Sequence, residues 1–541
     1  MAGTSATSAP PAAPARAGLA LTALILAAIV ANLNLSVANV ALPDIGKAFD
    51  AGQTQINLVA IGCTLGLAMS VLYLGALGDR YGRKLMLLLG MALTLPTSAI
   101  SAWAPSIDVL IAGRILTGVA AGLAYPTTLA LITALWGPGK ARVRAIALWS
   151  GLSGGGAILG PVIAGALLET FWWGSVFLIA VPPAVLAFVL VFINVPAHVH
   201  ESTESVDNLG GVLSVVMIGT FVIGISTVSA PGMLGQALAL IGVSLVIGAL
   251  FILRQRRATN PLYDLVYARR RIFWVAALSG MIVFGSLMGS LFVGQQFMQN
   301  VLAYSTLNAG LAVVPMAIAM VLFSPISGRL VLTFGSRDTL LLGFAVIIPG
   351  FVIMLVGWGE QTAYWVIALA YICVGAGTGL ALTPASRALT SSVPVTRVGM
   401  ASGTSDLQRD LGGSVMQAVL GSLLTAGYAL AMSNAIASSG DAQQVTQQTQ
   451  AALQLSYVSA AAVAEQYPQY ASQIVSAARE SFLSGANWAY GAAIAASLIG
   501  AILVWTRYPG KQGEIDLPLL DRKSTRLNSS HLAVSRMPSS A

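Results

Sequence analysis

The sequence predicts an all-α membrane protein of about fourteen transmembrane helices, arranged as two pseudo-symmetric six-helix halves with an extra two-helix hairpin between them. Three observations carry this. The chain of 541 residues is 56% hydrophobic and only 9% charged, whereas charged residues make up roughly a quarter of a soluble domain. Continuous apolar stretches recur along nearly its whole length, each close to the ~20 residues that cross a hydrocarbon core of ~30 Å as a helix. Short glycine-containing segments recur in the same order in the two parts of the chain.

The predicted spans lie near 19–41, 57–78, 85–104, 108–136, 144–168, 174–194, 208–229, 233–253, 272–294, 308–332, 338–357, 364–390, 402–431 and 485–506. Because each run is continuously apolar, a β-barrel is excluded, since barrel strands alternate apolar and polar residues over about ten positions. Residues 1–18, rich in Ala, Pro and Ser, suit a disordered cytoplasmic tail. A cleavable signal peptide fits less well: the only base before the apolar run is Arg16, and the run continues unbroken into LNLSVANVALP. Cys63 and Cys373 both fall inside spans, where packing accounts for them better than a disulfide or a metal pair.

The formal charge of +8 invites a nucleic-acid partner, but the distribution of the 27 basic residues answers otherwise. Arg80, Arg83 and Lys84, then Lys140, Arg142 and Arg144, then Arg269, Arg270 and Arg271 all stand at loops on one side of the predicted topology. Lys47 and Arg479 fall on the other side, and Arg114 and Arg409 lie inside spans. That asymmetry is the positive-inside pattern, which places both termini in the cytoplasm and the protein in the cytoplasmic membrane, with the lipid bilayer as partner and no nucleic acid. The final stretch at 521–541, DRKSTRLNSSHLAVSRMPSSA, departs abruptly from what precedes it and resembles the translation of a common sequencing-library adapter. It is read as a non-biological tail and left out of the fold argument.

The internal echoes define the halves. GALGDRYG at 75–82 is matched by GRLVLTFG at 328–335, GVAAGLAYP from Gly118 by GAGTGLALTP from Gly375, and GALL from Gly165 by GSLL from Gly421, at nearly one offset. Duplication of this kind is common in transporters. It implies a first six-helix bundle at 19–194, an inserted hairpin at 208–253 and a second bundle at 272–507. A polar, Ala-rich stretch at 432–484 reads as a long external loop. Its periodic Ala, Leu and Val positions suggest short amphipathic helices over the outer mouth, with a passive spacer equally compatible.

The junction of the second and third spans, GALGDRYGRK, is the most specific segment of the chain, and through it the sequence resembles the major facilitator superfamily. The signature of that family at this loop is matched by Gly75, Asp79, Arg80, Gly82, Arg83 and Lys84. Gly75 permits close helix contact and Gly82 a tight turn. Asp79 can accept hydrogen bonds from a helix N-terminus or pair with Arg83, making an inner-side latch that breaks when the gate opens. A plain topological anchor would need only the bases. In the second half Leu332 stands where Asp79 stands in the first, so the latch there is degenerate.

Three further segments extend the resemblance over 19–507 and point to the fourteen-span drug:proton antiporter branch. LIAGRILTGVAAG at 110–122 places Arg114 well inside a span, where burial of a charge costs roughly 2.5–3.5 kcal/mol or more and calls for a partner or a wet cavity. The resemblance links this arginine to proton transfer; a structural hydrogen-bonding arginine is the competing reading. GAILGPVIAG at 156–165 resembles the antiporter-associated helix, with Gly156, Gly160 and Gly165 for close packing and Pro161 for a bend. LNLSVANVALP at 33–43 resembles the first-helix signature, but Asn34 stands where the branch usually has an aspartate, and asparagine cannot carry a proton. Span thirteen offers a compensation in SDLQRDLGG at 405–413: Asp406, Arg409 and Asp410 share a helical neighbourhood, with Asp410 roughly 15 Å deep. An intramembrane cluster of this kind is functional by default, with Asp410 the proton carrier and Asp406 holding Arg409; an ion-pair network at the inner gate is the alternative.

Asn32, Asn34, Asn39, Gln295, Gln296 and Gln299 are candidate cavity-lining residues, although helix–helix hydrogen bonding explains most such groups. There is no P-loop glycine pattern and no His, Cys and carboxylate cluster at metal-ligand spacing, so neither cofactor nor metal is expected, nor an enzyme. The expectation is a proton-coupled exporter of small amphipathic or drug-like molecules working by alternating access, with substrate, protons and accessory envelope proteins as candidate partners. Proton-coupled uptake or facilitated diffusion of a metabolite on the same fold stays open, and a membrane sensor without transport is disfavoured because no cytoplasmic signalling domain is recognisable.

Overall fold

The computed structural model describes residues 16–49, 53–137, 139–197, 205–228, 233–394, 397–439 and 446–513. The tail at 521–541 and most of the N-terminal segment at 1–18 lie outside them. The described residues form helices and no strand, and fourteen helical segments are long and apolar enough to cross a membrane. All fourteen coincide with the spans expected from hydropathy.

In the first half, α1 (Ala17–Ser36) turns at Val37 into α2 (Ala38–Phe49), followed by α3 (Gln53–Tyr81), α4 (Arg83–Ala102), α5 (Ile107–Leu135) and α6 (Lys140–Leu168). The sixth span is α7 (Ser175–Leu178) with α8 (Val181–Asn194). The hairpin is α9 (Asn208–Thr227) and α10 (Leu234–Arg257), and a short α11 (Leu265–Ala268) leads into the second half. There, α12 (Arg271–Asn300), α13 (Thr306–Leu311) with α14 (Val314–Thr333), α15 (Ser336–Gly357) and α16 (Tyr364–Ser391) precede α17 (Val398–Ser438). Two short helices, α18 (Gln447–Leu455) and α19 (Tyr457–Gln466), then lead to α20 (Ala471–Arg507).

The echoed glycines have one physical meaning in both halves. A Cβ on Gly118 would lie 2.1 Å from the Cys63 carbonyl oxygen, and one on Gly375 would lie 2.2 Å from that of Met316. Thus α5 touches α3, and α16 touches α14, backbone to backbone, which only glycine allows. The sharp turns repeat likewise: Gly82 at φ 111° opens α4 and Gly335 at φ 96° opens α15, conformations that exclude a Cβ at low cost. The buried apolar side chains divide the same way. One cluster runs from Ile272 to Tyr508 with Ala130 added from the first half; two others lie between Ala20 and Val222.

The hairpin sits at the edge. Only 17% of the apolar window of α10 is buried, so most of that helix faces outward. Its base is polar and well bonded. Asp207 caps α9 through the Gly210 N–H and accepts from Arg254 at 3.0 Å and from Gln255 at 3.2 Å. The Tyr73 hydroxyl of α3 donates to Asn208 at 2.9 Å. The segment after α10 leans instead on the start of α17: Arg397 donates to the Pro261 carbonyl at 3.0 Å, and the Asp264 N–H points at the Met400 sulfur at 3.1 Å. Burial holds the Tyr263 phenol above its usual pKa range, so it remains a neutral partner for the Thr404 hydroxyl.

The stretch expected as a loop at 432–484 is largely helical. The helix of span thirteen runs on to Ser438 and that of span fourteen starts at Ala471, with α18 and α19 between. Hydropathy marks where the membrane ends, not where a helix ends, and this Ala- and Gln-rich sequence has ample helix propensity. Leu453, Ala460 and Val463 are buried, and the Tyr428 hydroxyl of α17 donates to the Leu453 carbonyl at 3.0 Å.

Candidate functional site

The latch is built where α3 ends. Gly82 turns the chain so that Arg83, the first residue of α4, folds back on Asp79, donating from Nε at 3.0 Å and from Nη2 at 2.7 Å to Oδ1. The other carboxylate oxygen accepts the Gly399 N–H at 2.8 Å, in the first turn of α17, where the helix dipole favours a negative charge. Asp79 therefore makes both of the contacts open to it. Gly75 lets the helices meet, since a Cβ there would lie 3.0 Å from the Gly399 carbonyl oxygen. Asp79 and Arg83 are 6% and 2% exposed, so this is an interior ion pair, and the Gly399 contact joins it to the second half. Lys84 serves a different contact, donating to the Phe192 carbonyl at 2.8 Å, while Arg80 lines the crevice beside the latch with Asp207, Asn260 and Arg397. At the related seam Gly328 approaches Ala147 of α6, with Leu332 in place of an acid.

Arg114 is anchored by backbone. Its Nη1 donates to the Asn34 carbonyl at 2.7 Å and its Nε to that of Val59 at 3.3 Å, and its guanidinium lies 5.4 Å over the Phe177 ring. Among the described residues no carboxylate pairs with it. The structure thus ties Arg114 to the backbone of α1 and α3 and to the Phe177 ring of α7.

The antiporter-type helix α6 packs on α1: a Cβ on Gly156 would lie 3.1 Å from Ile29, and one on Gly160 2.2 Å from the Ser36 hydroxyl. Pro161 lies inside α6, and Gly165 makes only ordinary contacts. Asn32 and Asn34 are buried and turn their amides onto the Ala28 and Val30 carbonyls of their own helix. The Asn39 side chain lies outside the described residues. Gln296 donates to the Phe292 carbonyl, Gln295 is half-buried and Gln299 is exposed.

The α17 cluster differs from its expected wiring. Asp406, Arg409 and Asp410 are 1%, 4% and 7% exposed. Arg409 is not held by Asp406: its Nη1 donates to the Tyr125 hydroxyl, and its guanidinium lies 5.3 Å over the Tyr125 ring and 4.9 Å over that of Trp149. A long planar guanidinium reaches the opposing helices, α5 and α6, and stacks there. Both oxygens of Asp406, and Oδ2 of Asp410, lack a hydrogen-bond partner among the described residues. Sequence reasoning passed over Tyr125 and Trp149. A usable signal was present: Trp149 lies roughly 13 Å along α6 from Lys140, deep in a span, whereas membrane tryptophans concentrate at the interfaces. Asp406 and Asp410 thus lie buried on α17 where it meets the first half.

The family model described as Major Facilitator Superfamily matches residues 24–417. The chain belongs to the major facilitator superfamily. Within this superfamily it is 35% identical over 492 residues to the multidrug efflux pump LfrA of Mycolicibacterium smegmatis, covering 90% of this chain and 95% of the relative. It is 32% identical over 409 residues to the multidrug resistance protein Stp of Mycobacterium tuberculosis, covering 75% and 76%. The solved proton:xylose symporter XylE superimposes with a TM-score of 0.58 at 16% identity, covering 93% of this chain and 98% of that one, a likeness of fold. The protein is a multi-pass membrane transporter of the major facilitator fold. Among its described residues no group of His, Cys, Asp and Glu could hold a metal ion, and Cys63 and Cys373 are free thiols.

Proposed function

We propose that the protein exports small amphipathic, drug-like molecules across the cytoplasmic membrane in exchange for protons, with both termini in the cytoplasm. The observation that carries this reading is the near full-length similarity to a named multidrug efflux pump. The positive-inside distribution supports the orientation, which makes the Asp79 latch a cytoplasmic gate. Among the described residues the buried Asp406 carboxyl has no hydrogen-bond partner and Oδ2 of Asp410 has none, which supports proton coupling on α17. Proton and substrate would then stabilise opposite members of a two-state equilibrium, the condition for coupled alternating access. Transport rather than catalysis is the whole of the proposed activity.

One residue favours a second reading. Asn34, in place of a first-helix acid, fits uncoupled diffusion or uptake of a metabolite. Flux in sealed inverted vesicles with an imposed pH gradient separates the two. Accumulation that requires an acid interior supports exchange, and flux indifferent to the gradient supports facilitation.

A further inference from the structure

The contact of Arg409 with the first half has the form of an occupied binding site. The Tyr125 and Trp149 rings are a tilted pair 5.6 Å apart, and the indole is fixed by its Nε1 donating to the Thr128 hydroxyl at 2.9 Å. Trp149 is 0% exposed and Tyr125 3%. A rigid aromatic corner on α5 and α6 therefore receives a planar, delocalised cation from α17 of the other half. The guanidinium is otherwise loosely held, with Nε and Nη2 unbonded among the described residues.

An opening at the Asp79 face would draw α17 away from α5 and α6. That movement would bare the two ring faces to the cavity and leave the guanidinium on the same helix face as Asp406, three residues before it. The Asp406 carboxylate can then take the charge that the rings release. The bared corner retains its preference for a flat cation, because the ring quadrupole is unchanged.

We propose that Tyr125 and Trp149 form a stacking site for planar aromatic cations, and that Arg409 is its resident occupant, displaced by substrate. The proposal rests on the transporter reading for the cavity but not on the direction or coupling of transport. It makes the two rings specificity-determining residues and Arg409 an internal competitor.

The test is fluorescence titration of purified protein in detergent at near-neutral pH, where acridine is unprotonated, with N-methylacridinium and neutral acridine as probes of nearly equal shape. The wild type should prefer the cation by about fivefold or more. Trp149→Leu should erase the preference and Trp149→Phe keep part of it. Arg409→Lys, which preserves the charge but stacks less well, should tighten binding of both probes several-fold, because a weaker resident competes less with either, and leave their ratio unchanged. A preference that survives Trp149→Leu, weaker cation binding in Arg409→Lys, or no binding of either probe would overturn the proposal. No gradient enters this experiment, so vesicle flux that ignores pH would remove the exchange reading and leave the site standing.

Discussion

The Gly399 N–H reaches the Asp79 carboxylate at 2.8 Å across 320 residues of sequence, so the first turn of α17 closes on the last turn of α3. One carboxylate serves both a guanidinium and a helix N-terminus, and neither demand can be met by an amide without turning a donor toward a donor. Asp79→Asn should therefore lower vesicle flux by about tenfold or more, the size of one lost charge-assisted contact, while the protein still inserts and elutes as a single species. Wild-type flux from this variant would remove the latch.

A second variant reaches the same contact from the other side. A Cβ on Gly399 would stand 2.3 Å from Asp79 Oδ2 and 2.5 Å from the Gly75 carbonyl oxygen. Gly399→Ala should impair flux as severely as Asp79→Asn, and the double variant should be no worse than either, since residues acting as a unit do not add. Additive losses would mean that the two residues act separately.

Proton release divides the α17 cluster. Asp410→Asn is expected to abolish gradient-driven transport and substrate-induced proton release in detergent while preserving substrate binding. Asp406→Asn should retain part of the release, and Arg114→Lys should lower thermal stability more than release, because Arg114 is bonded to backbone. Undiminished release from Asp410→Asn sends the search for the carrier to Asp406 and Asp79.

The repeated glycines give a stability prediction with an internal control. Gly118→Ala and Gly375→Ala each force a methyl group against opposing backbone and should each cost about 1–3 kcal/mol, seen as a lowered Tm in detergent. Gly242 on α10, where an added methyl group would meet nothing within 4 Å, should tolerate alanine without loss. Equal Tm values for all three would dissociate the echoes from packing.

What could be read in advance follows from how locally each feature is encoded. The spans were legible because apolarity is counted within ~20 residues, and the repeat because glycine at a backbone contact admits no substitute. The Asp79 contacts with Arg83 and with a helix N-terminus were legible, but Gly399 as the second partner was not, since adjacency of α3 and α17 is a property of the assembled bundle. The same holds for Arg409: its neighbours in sequence are carboxylates, its neighbours in space are the Tyr125 and Trp149 rings of the other half. The extension of α17 to Ser438 escaped notice because a hydropathy profile is silent about helix beyond the membrane.

The inserted hairpin holds α3 at one end, through Tyr73 and Asn208, and the start of α17 at the other, through Pro261 and Asp264. Between these anchors the chain from Ala258 to Asp264 can pay out at most ~3.3–3.6 Å per residue. It crosses the same seam that the Asp79 carboxylate bridges, so the two halves are joined there twice over, once by a hydrogen-bonded carboxylate and once by a short covalent tether.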